Sequence, residues 1–136
     1  MKRVTGLGGV FFKCENPRSI LEWYNKHLGI SPVGEGSIFE WLQRDFPGER
    51  GHTVWGPFEK SSRYFHPSNK EFMINYRVEN LESLLDQLRE EGVKVVGEIE
   101  KYDYGKFGWI MDPEGNKIEL WEPNDESFRK VNGLDQ

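Results

Sequence analysis

The side chains of this sequence that could do chemistry are few and scattered. The three histidines, His27, His52 and His66, show no spacing typical of a metal site. We expect His27 to be a helix-end residue, and His52 and His66 to lie on the surface. The single cysteine, Cys14, lies in an apolar run, which favours a small core residue over a nucleophile. The sequence contains no Gly-x-Ser-x-Gly elbow, no phosphate-binding glycine loop and no dinucleotide-binding glycine pattern. No familiar catalytic motif therefore marks a reaction centre.

Two basic residues stand out because an internal repeat relates them. The segment CENPRSILE at 14–22 returns as VENLESLLD at 78–86, which is 64 residues later in a chain of 136. A repeat on this scale indicates that one structural unit is written twice. Lys13 and Arg77 occupy equivalent positions of that repeat, so any site built symmetrically by the two halves would contain both.

The elements that position these residues are predicted from periodicity and helix-capping residues. Each half opens with a strand, at 9–14 and 72–78, and continues with a helix that an Asn caps and a Gly ends (Asn16 and Gly29, then Asn80 and Gly92). Three strands are predicted after each helix, at 31–33, 37–43 and 52–58 and again at 93–98, 107–111 and 117–122. Pro32 would confine the first of these to a sheet edge. The fold class is therefore α+β, with each half reading strand, helix, strand, strand, strand.

Composition limits the class of protein. A chain of 136 residues is predicted to form a single domain over 1–136, with module one at about 5–58, a linker at about 59–70 and module two at about 71–123. The net charge of −5 and the absence of a Lys/Arg cluster argue against a nucleic-acid partner. No segment approaches the roughly 20 apolar residues of a membrane span, so we expect no membrane partner and a cytoplasmic location.

Four segments of the sequence together carry a resemblance to a known family. They are GVFFK at 9–13, WYNKHLG at 23–29, NYRV at 75–78 and DPEGNKIELWEP at 112–123. With them, residues 5–123 resemble the glyoxalase/bleomycin-resistance/dioxygenase superfamily, also called vicinal oxygen chelate proteins. The resemblance implies two βαβββ modules that form a curved mixed sheet around a cleft, with a small-molecule ligand inside. It also implies a homodimer, since small members of the superfamily commonly form one.

Metal-dependent members of the superfamily hold a divalent cation with four side chains from the first and last strands of the modules. The resemblance places these positions on Gly9, Trp55, Met73 and Glu119, with each module-two position 64 residues after its module-one equivalent. Only Glu119 offers a ligand for a hard or borderline cation. One carboxylate is fewer than the roughly three protein ligands of a catalytic metal centre. We therefore predict no metal or other cofactor, with a displaced metal site around Glu119 as the alternative.

Strand alternation then defines the predicted cleft face. If the residues at the ligation positions point into the cleft, so do their neighbours two residues away along each strand. The predicted ligand-binding residues are Phe11, Lys13, Trp55, Met73, Asn75, Arg77, Trp109 and Trp121, and Glu119 is the predicted catalytic residue. Aromatic walls with a few polar groups are typical of small-molecule sites. The structural alternative is that Lys13 and Arg77 pair with Glu119 or Glu40 while the tryptophans fill the core.

Two functions of different classes follow from the resemblance. The first is a protein that binds a small aromatic or anionic molecule in its cleft without the usual metal. The second is a metal-dependent glyoxalase-like lyase, isomerase or dioxygenase that uses Glu119 with a rebuilt metal site. The loss of ligands at three of the four matched positions favours the first. The polar tail at 124–136 is expected to be peripheral or to strap a dimer together.

Overall fold

The computed structural model of the chain describes residues 3–134, and over that range it contains seven strands and three helices. The strands are β1 (Val4–Cys14), β2 (Ser37–Leu42), β3 (Arg50–Glu59), β4 (Phe72–Val78), β5 (Val95–Tyr102), β6 (Gly105–Met111) and β7 (Lys117–Pro123). The helices are α1 (Pro17–Leu28), α2 (Leu81–Glu90) and α3 (Asp125–Val131). The α+β class predicted from the sequence is confirmed. No helix in residues 3–134 is both long enough and apolar enough to span a membrane.

All seven strands form one mixed sheet, in the order β2-β3-β1-β4-β7-β6-β5. The first strands of the two halves, β1 and β4, lie antiparallel at its centre, with Phe11 opposite Met73 and Gly9 opposite Asn75. Each then pairs in parallel with the last strand of its own half, β1 with β3 and β4 with β7. The two halves are thus related by a local two-fold axis between β1 and β4, as the repeat predicts.

The helices begin and end where the local sequence signals predict. Asn16 and Asn80 each accept a hydrogen bond, at 3.1 Å, from the backbone N–H three residues further on. Gly29 follows α1 at φ 70° and Gly92 follows the end of α2 at φ 84°, in the left-handed region that a side chain disfavours.

Both of these helices lie on one side of the sheet. Tyr24 of α1 packs against Phe12 of β1, and the α2 cluster packs against Tyr76 of β4. Phe12 and Tyr76 belong to the alternate residues of the two central strands that point away from Phe11 and Asn75. The opposite face of the sheet is therefore left for the site.

The buried core lies in one half of the molecule. Within residues 3–134, the eleven buried hydrophobic side chains all lie between Phe65 and Phe128. Six of them form the cluster between α2 and the sheet: Val78, Leu81, Leu84, Leu85, Ile110 and Leu120. In contrast, α1 contributes no buried residue. The two halves therefore share a fold but differ in how much apolar surface they remove from water.

The strand predicted at 31–33 is wrong. In its place, Val33 makes only an isolated bridge with Gly36. Pro32 has no N–H to donate to a ladder, which explains why a strand does not form there. In the described part of the chain, the first half is consequently strand, helix, strand, strand, and β2 is an edge of the sheet.

The predicted linker and the tail, which was predicted to be peripheral or to strap a dimer together, both pack against the sheet. The linker between the halves carries Phe65, whose side chain is fully buried. The tail forms α3 directly after β7, and Phe128 of that helix is also buried. The last two positions of the predicted tail, 135 and 136, lie outside the described residues. Both segments cover the sheet face opposite α1 and α2, and they determine what remains open on it.

Candidate functional site

The inner face of the sheet, defined here as the face opposite α1 and α2, carries most of the residues predicted for the cleft. Strand pairing brings them together in neighbouring pairs: Phe11 beside Met73, Asn75 beside Glu119, Arg77 beside Trp121 and Trp109 beside Glu119. The intervening residues of β4, Ile74 and Tyr76, point the other way, and Tyr76 packs on the α2 cluster.

Glu119 lies at the centre of the inner face and is only 3% exposed. Its Oε1 accepts a hydrogen bond from Asn75 Nδ2 at 2.7 Å, and its Oε2 accepts one from Trp109 Nε1 at 2.9 Å. The hydroxyl of Tyr64, from the linker, donates a short hydrogen bond to the same Oε2. Three donors on two oxygens compensate the buried carboxylate, and they occupy the atoms that a cation would need.

Tyr64 stays protonated in this arrangement. Burial and the neighbouring charge of Glu119 both raise the pKa of the Tyr64 hydroxyl well above its usual range. Lys117 lies on the outside of the cluster, where its Nζ donates to the Tyr64 carbonyl at 2.8 Å and lies 5.5 Å from the centroid of the Trp109 ring. Burial lowers the pKa of Lys117, opposed by Glu119 and Glu100. Glu119 and its three donors therefore form a packed network, which the neutral Tyr64 phenol covers on the side of the linker.

The residues present do not fit the divalent metal that the superfamily implies. Glu119 faces hydrogen-bond donors, which repel a cation, rather than further oxygen or nitrogen ligands. No three His, Cys, Asp or Glu side chains within residues 3–134 are placed to hold a metal ion.

Trp55 lies on the opposite side of the sheet from the other predicted cleft residues. Its ring packs against Phe12 at 5.4 Å and against Tyr24 of α1 at 4.9 Å between ring centroids. The reason is a slip of one residue in the repeat: Asn75 is opposite Glu119, whereas the equivalent Phe11 is opposite Gly56. A one-residue slip exchanges the two faces of a strand, so Gly56 occupies the inner position that matches Glu119.

Lys13 lies at the margin of the inner face. Its Nζ is 5.4 Å from the centroid of the Phe65 ring, a cation–π contact. Among residues 3–134, neither Lys13 nor its equivalent Arg77 forms an ion pair with Glu119 or Glu40. Arg77 pairs with Asp125 instead, at 2.7 Å.

Arg77 is buried, at 2% exposure, and is held from three sides. Its two terminal nitrogens donate to the two carboxylate oxygens of Asp125 at 2.9 and 2.7 Å. Its guanidinium carbon lies 5.4 Å from the Trp41 ring centroid and 5.5 Å from that of Trp121. A bidentate fork between two indoles is a geometry in which arginine binds carboxylates well.

His52 completes the environment of Asp125. Its Nδ1 lies 3.1 Å from Asp125 Oδ1, and its Nε2 lies 3.2 Å from a guanidinium nitrogen of Arg129. Because arginine can only donate, these partners assign the proton to Nδ1 and leave Nε2 as the acceptor. The expectation that His52 lies on the surface is wrong, since it is fully buried. His66 is exposed, as predicted. His27 lies in the last turn of α1, also as predicted.

These partners change the pKa of the Asp125 carboxyl group. Burial acts to raise its pKa, but the hydrogen bonds from His52 and Arg77 and the positive charge of Arg77 outweigh burial and lower the pKa of Asp125 to about 2. Asp125 is therefore ionised throughout the physiological range and anchors α3 to the sheet.

Two open regions remain beside the packed segments. A cavity of about 1030 Å³ lies next to β3, and its wall on the inner face includes Phe11, Val54, Gly56, Phe58 and Phe128. The rest of its lining comes from Trp55, the start of α1 and the 33–38 segment, and it includes the charged side chains of Arg18, Glu35 and Glu59. A shallower groove of about 910 Å³ lies near the start of α3 between the 48–50 and 101–106 turns, and its lining is mostly charged. The cavity next to β3 is the better candidate for a ligand site because apolar and aromatic walls are what small-molecule pockets share.

Sequence reasoning missed four residues that surround Glu119 and Arg77. Tyr64 and Phe65 were visible as an aromatic pair within a polar segment, which is a signal that a linker packs against something. Asp125 and Trp41 had no such signal, because their role depends on contacts with Arg77, which lies 48 and 36 positions away from them.

The sequence and the fold both have relatives. The sequence model of the Glyoxalase/Bleomycin resistance protein/Dioxygenase superfamily matches residues 7–120. No curated protein matches the sequence. Among solved structures, methylmalonyl-CoA epimerase from Mycobacterium tuberculosis is similar with a TM-score of 0.57 and 26% identity, covering 90% of this chain and 91% of that one.

Two further structures are similar in fold. A variant of the Streptomyces coelicolor methylmalonyl-CoA epimerase, in complex with 2-nitronate-propionyl-CoA, has a TM-score of 0.64 at 15% identity and covers 89% of this chain and 99% of its own. The 2,2',3-trihydroxybiphenyl 1,2-dioxygenase from Sphingomonas wittichii has a TM-score of 0.53 at 18% identity, and the similarity covers 89% of this chain but 41% of that one.

Proposed function

Because this chain belongs to the Glyoxalase/Bleomycin resistance protein/Dioxygenase superfamily, we propose that it uses the shared cleft to bind a small aromatic or anionic molecule without a metal. The observation that carries the proposal is the cavity next to β3, which stays open while the rest of the inner face is filled. Its volume of about 1030 Å³ is sufficient for a small organic ligand.

The wall of the cavity suits an aromatic ligand. Phe11 and Phe58 meet edge to face, with ring centroids 5.5 Å apart, and present a continuous aromatic surface. Gly56 lies beside them with no side chain, so a flat ring can approach the strand there. A Cβ at Gly56 would make ordinary van der Waals contact with Phe11 at 3.7 Å and with the Gly36 Cα at 4.0 Å, so a side chain there would take up space beside the aromatic wall without a clash.

The preference for binding without a metal rests on Glu119. Both of its carboxylate oxygens already accept hydrogen bonds, and its neighbours Asn75 and Trp109 are donors. Recruiting a cation would displace the Tyr64 hydroxyl and leave the N–H donors of Asn75 and Trp109 facing the metal. The metal-dependent lyase, isomerase or dioxygenase has no comparable support from the inner face.

The proposal is tested by filling the cavity. We expect titration calorimetry with 2-naphthoate to detect binding to the wild-type chain, and Gly56→Val to weaken it by about tenfold or more, a loss of roughly 1.4 kcal/mol. The matched control is Gly48→Val, at an exposed turn where a Cβ meets nothing within 4 Å. The control should bind as the wild type does.

Two results would overturn the proposal. The first is binding that Gly56→Val leaves unchanged, which would place the ligand elsewhere. The second is a stoichiometric metal in the purified protein that is lost in Glu119→Ala, which would favour the metal-dependent enzyme. Elemental analysis, and thermal-shift measurements with added Ni²⁺, Zn²⁺, Mn²⁺ and Fe²⁺, provide the second test.

A further inference from the structure

The contacts beneath α3 form a site that the proposed cavity does not use. Arg77 and His52 converge on one carboxylate from below, and the indoles of Trp41 and Trp121 flank the guanidinium. Both polar residues are almost fully buried, at 2% and 0% exposure. The carboxylate they hold belongs to Asp125, the first residue of α3.

This arrangement has more binding capacity than Asp125 uses. Arg77 Nε is buried and has no hydrogen-bond partner among residues 3–134. A buried N–H without an acceptor costs free energy, and a carboxylate that meets Arg77 through Nε and one terminal nitrogen would remove that cost. Arg77 Nε is therefore a donor that the Asp125 carboxylate leaves unused.

The helix that supplies Asp125 is short, and few of its side chains are buried against the rest of the protein. α3 is seven residues long and begins two residues after the end of β7. Besides Asp125, its buried contact is Phe128, which packs against His52 at 5.0 Å and Trp121 at 5.2 Å between ring centroids. Arg129 adds ion pairing to Glu40 at 2.7 Å. A segment with so few buried contacts opens at a lower free energy than the strands beneath it.

We propose that Arg77 and His52, flanked by Trp41 and Trp121, form a carboxylate-binding site, and that Asp125 occupies it as an internal substitute for a ligand carboxylate. A carboxylate ligand binds there by displacing α3. Asp125 and the ligand compete for the same donors, so removing the Asp125 carboxylate raises the affinity for the ligand.

The carboxylate site is separate from the β3 cavity, although Phe128 contacts both, so its test is designed to stand without the proposed function. Acetate has a carboxylate but no ring, and it therefore probes the Arg77 and His52 site alone. Because 2-naphthoate carries a carboxylate as well as a ring, naphthoate binding that is unchanged in Gly56→Val would place it outside the cavity, and its loss in Arg77→Met would then assign it to the carboxylate site.

The first experiment is rescue of Asp125→Ala by acetate. This variant leaves a carboxylate-sized gap over Arg77, and we expect acetate at about tenfold above its dissociation constant to raise Tm by about 3–8 °C. Acetamide, which has the same shape without the charge, should raise it by much less. The matched control is Glu126→Ala, at a side chain that is 81% exposed, and acetate should leave its Tm unchanged.

The second experiment tests displacement and also covers the case in which Asp125→Ala does not fold. Asp125→Asn keeps the size of the side chain and loses its charge, so α3 still fills the site but holds it less tightly. We expect acetate to bind Asp125→Asn at least about tenfold more tightly than the wild type, and to speed amide exchange across α3.

Any of the following results would overturn the inference: equal acetate affinity in Asp125→Asn and the wild type, equal rescue by acetate and acetamide, or retained acetate binding in the double variant Arg77→Met/Asp125→Asn. An α3 that keeps its amide protection while acetate is bound would also do so, because the ligand would then lie elsewhere.

Discussion

The ionised carboxylate of Asp125 makes the stability of the protein depend on pH in a specific way. Burial would raise its pKa, but the hydrogen bonds from His52 and Arg77 outweigh burial and lower the pKa from 3.8 to about 2 in the folded chain. Its side chain is 26% exposed, so solvent screens the pairing only in part. The perturbation that isolates this effect is Asp125→Asn, which removes the titrating group and retains its size.

The magnitude follows from linkage. Each pKa unit corresponds to about 1.4 kcal/mol, so the lowered pKa of Asp125 contributes roughly 2.5 kcal/mol to the free energy of unfolding at neutral pH. A group whose folded-state pKa is depressed stabilises the fold above its unfolded pKa, and that contribution is lost as pH falls through the folded value. The difference between the wild type and Asp125→Asn should therefore be constant above about pH 5, and should fall by roughly 1.5 kcal/mol or more by pH 2.5.

The assay is urea unfolding of both proteins, followed by tryptophan fluorescence at several pH values between about 2.5 and 7. The matched control is Glu126→Gln, in the same first turn of α3, whose carboxylate is largely exposed. Its difference from the wild type should stay small at every pH. A difference between the wild type and Asp125→Asn that does not change between about pH 2.5 and 6, or that grows as pH falls, would refute the reasoning.

Two further substitutions test the packing around Phe65 and around Trp41. Phe65→Ala should lower the free energy of unfolding by about 3–5 kcal/mol in urea, because it empties a fully buried site over Met73 and Trp109; a loss under about 1 kcal/mol would mean that the linker does not pack there. Gly51→Val should be destabilised by about 1–3 kcal/mol relative to Gly48→Val, because a Cβ at Gly51 would lie 2.4 Å from the Trp41 ring. Equal stability of the two glycine variants would contradict the position of that ring.

The parts of the fold that were predictable from the sequence are those set by local signals. Asn16 and Asn80 cap the predicted helices, and Gly29 and Gly92 follow them, because a cap needs only its own few neighbours. The repeat predicted the common order of elements in the two halves for a similar reason, because each half carries its own pattern of strand and helix signals. The strand expected at 31–33 is wrong because Pro32 cannot supply a ladder donor.

The candidate site was predictable only in part, because tertiary contacts decide it. Asn75, Trp109 and Glu119 lie together because alternation along paired strands is a local rule. Trp55 lies on the other face because the register of β3 against β1 differs by one residue from that of β7 against β4, and no local signal encodes register. His52 is buried because α3, whose Asp125 lies 73 residues further along the chain, covers it. The residues next to His52 in the sequence give no sign of that contact.

The uneven burial of the two halves has a consequence for how this protein tolerates change. Because the buried apolar side chains in residues 3–134 lie at and beyond Phe65, the free energy that holds the chain folded comes mainly from one copy of the duplicated unit. In the other copy, Val54 and Gly56 on the cavity wall are less tightly enclosed than the side chains of that core. We therefore expect a library that randomises these cavity-wall positions alone to keep a larger folded fraction than one that randomises the α2 cluster.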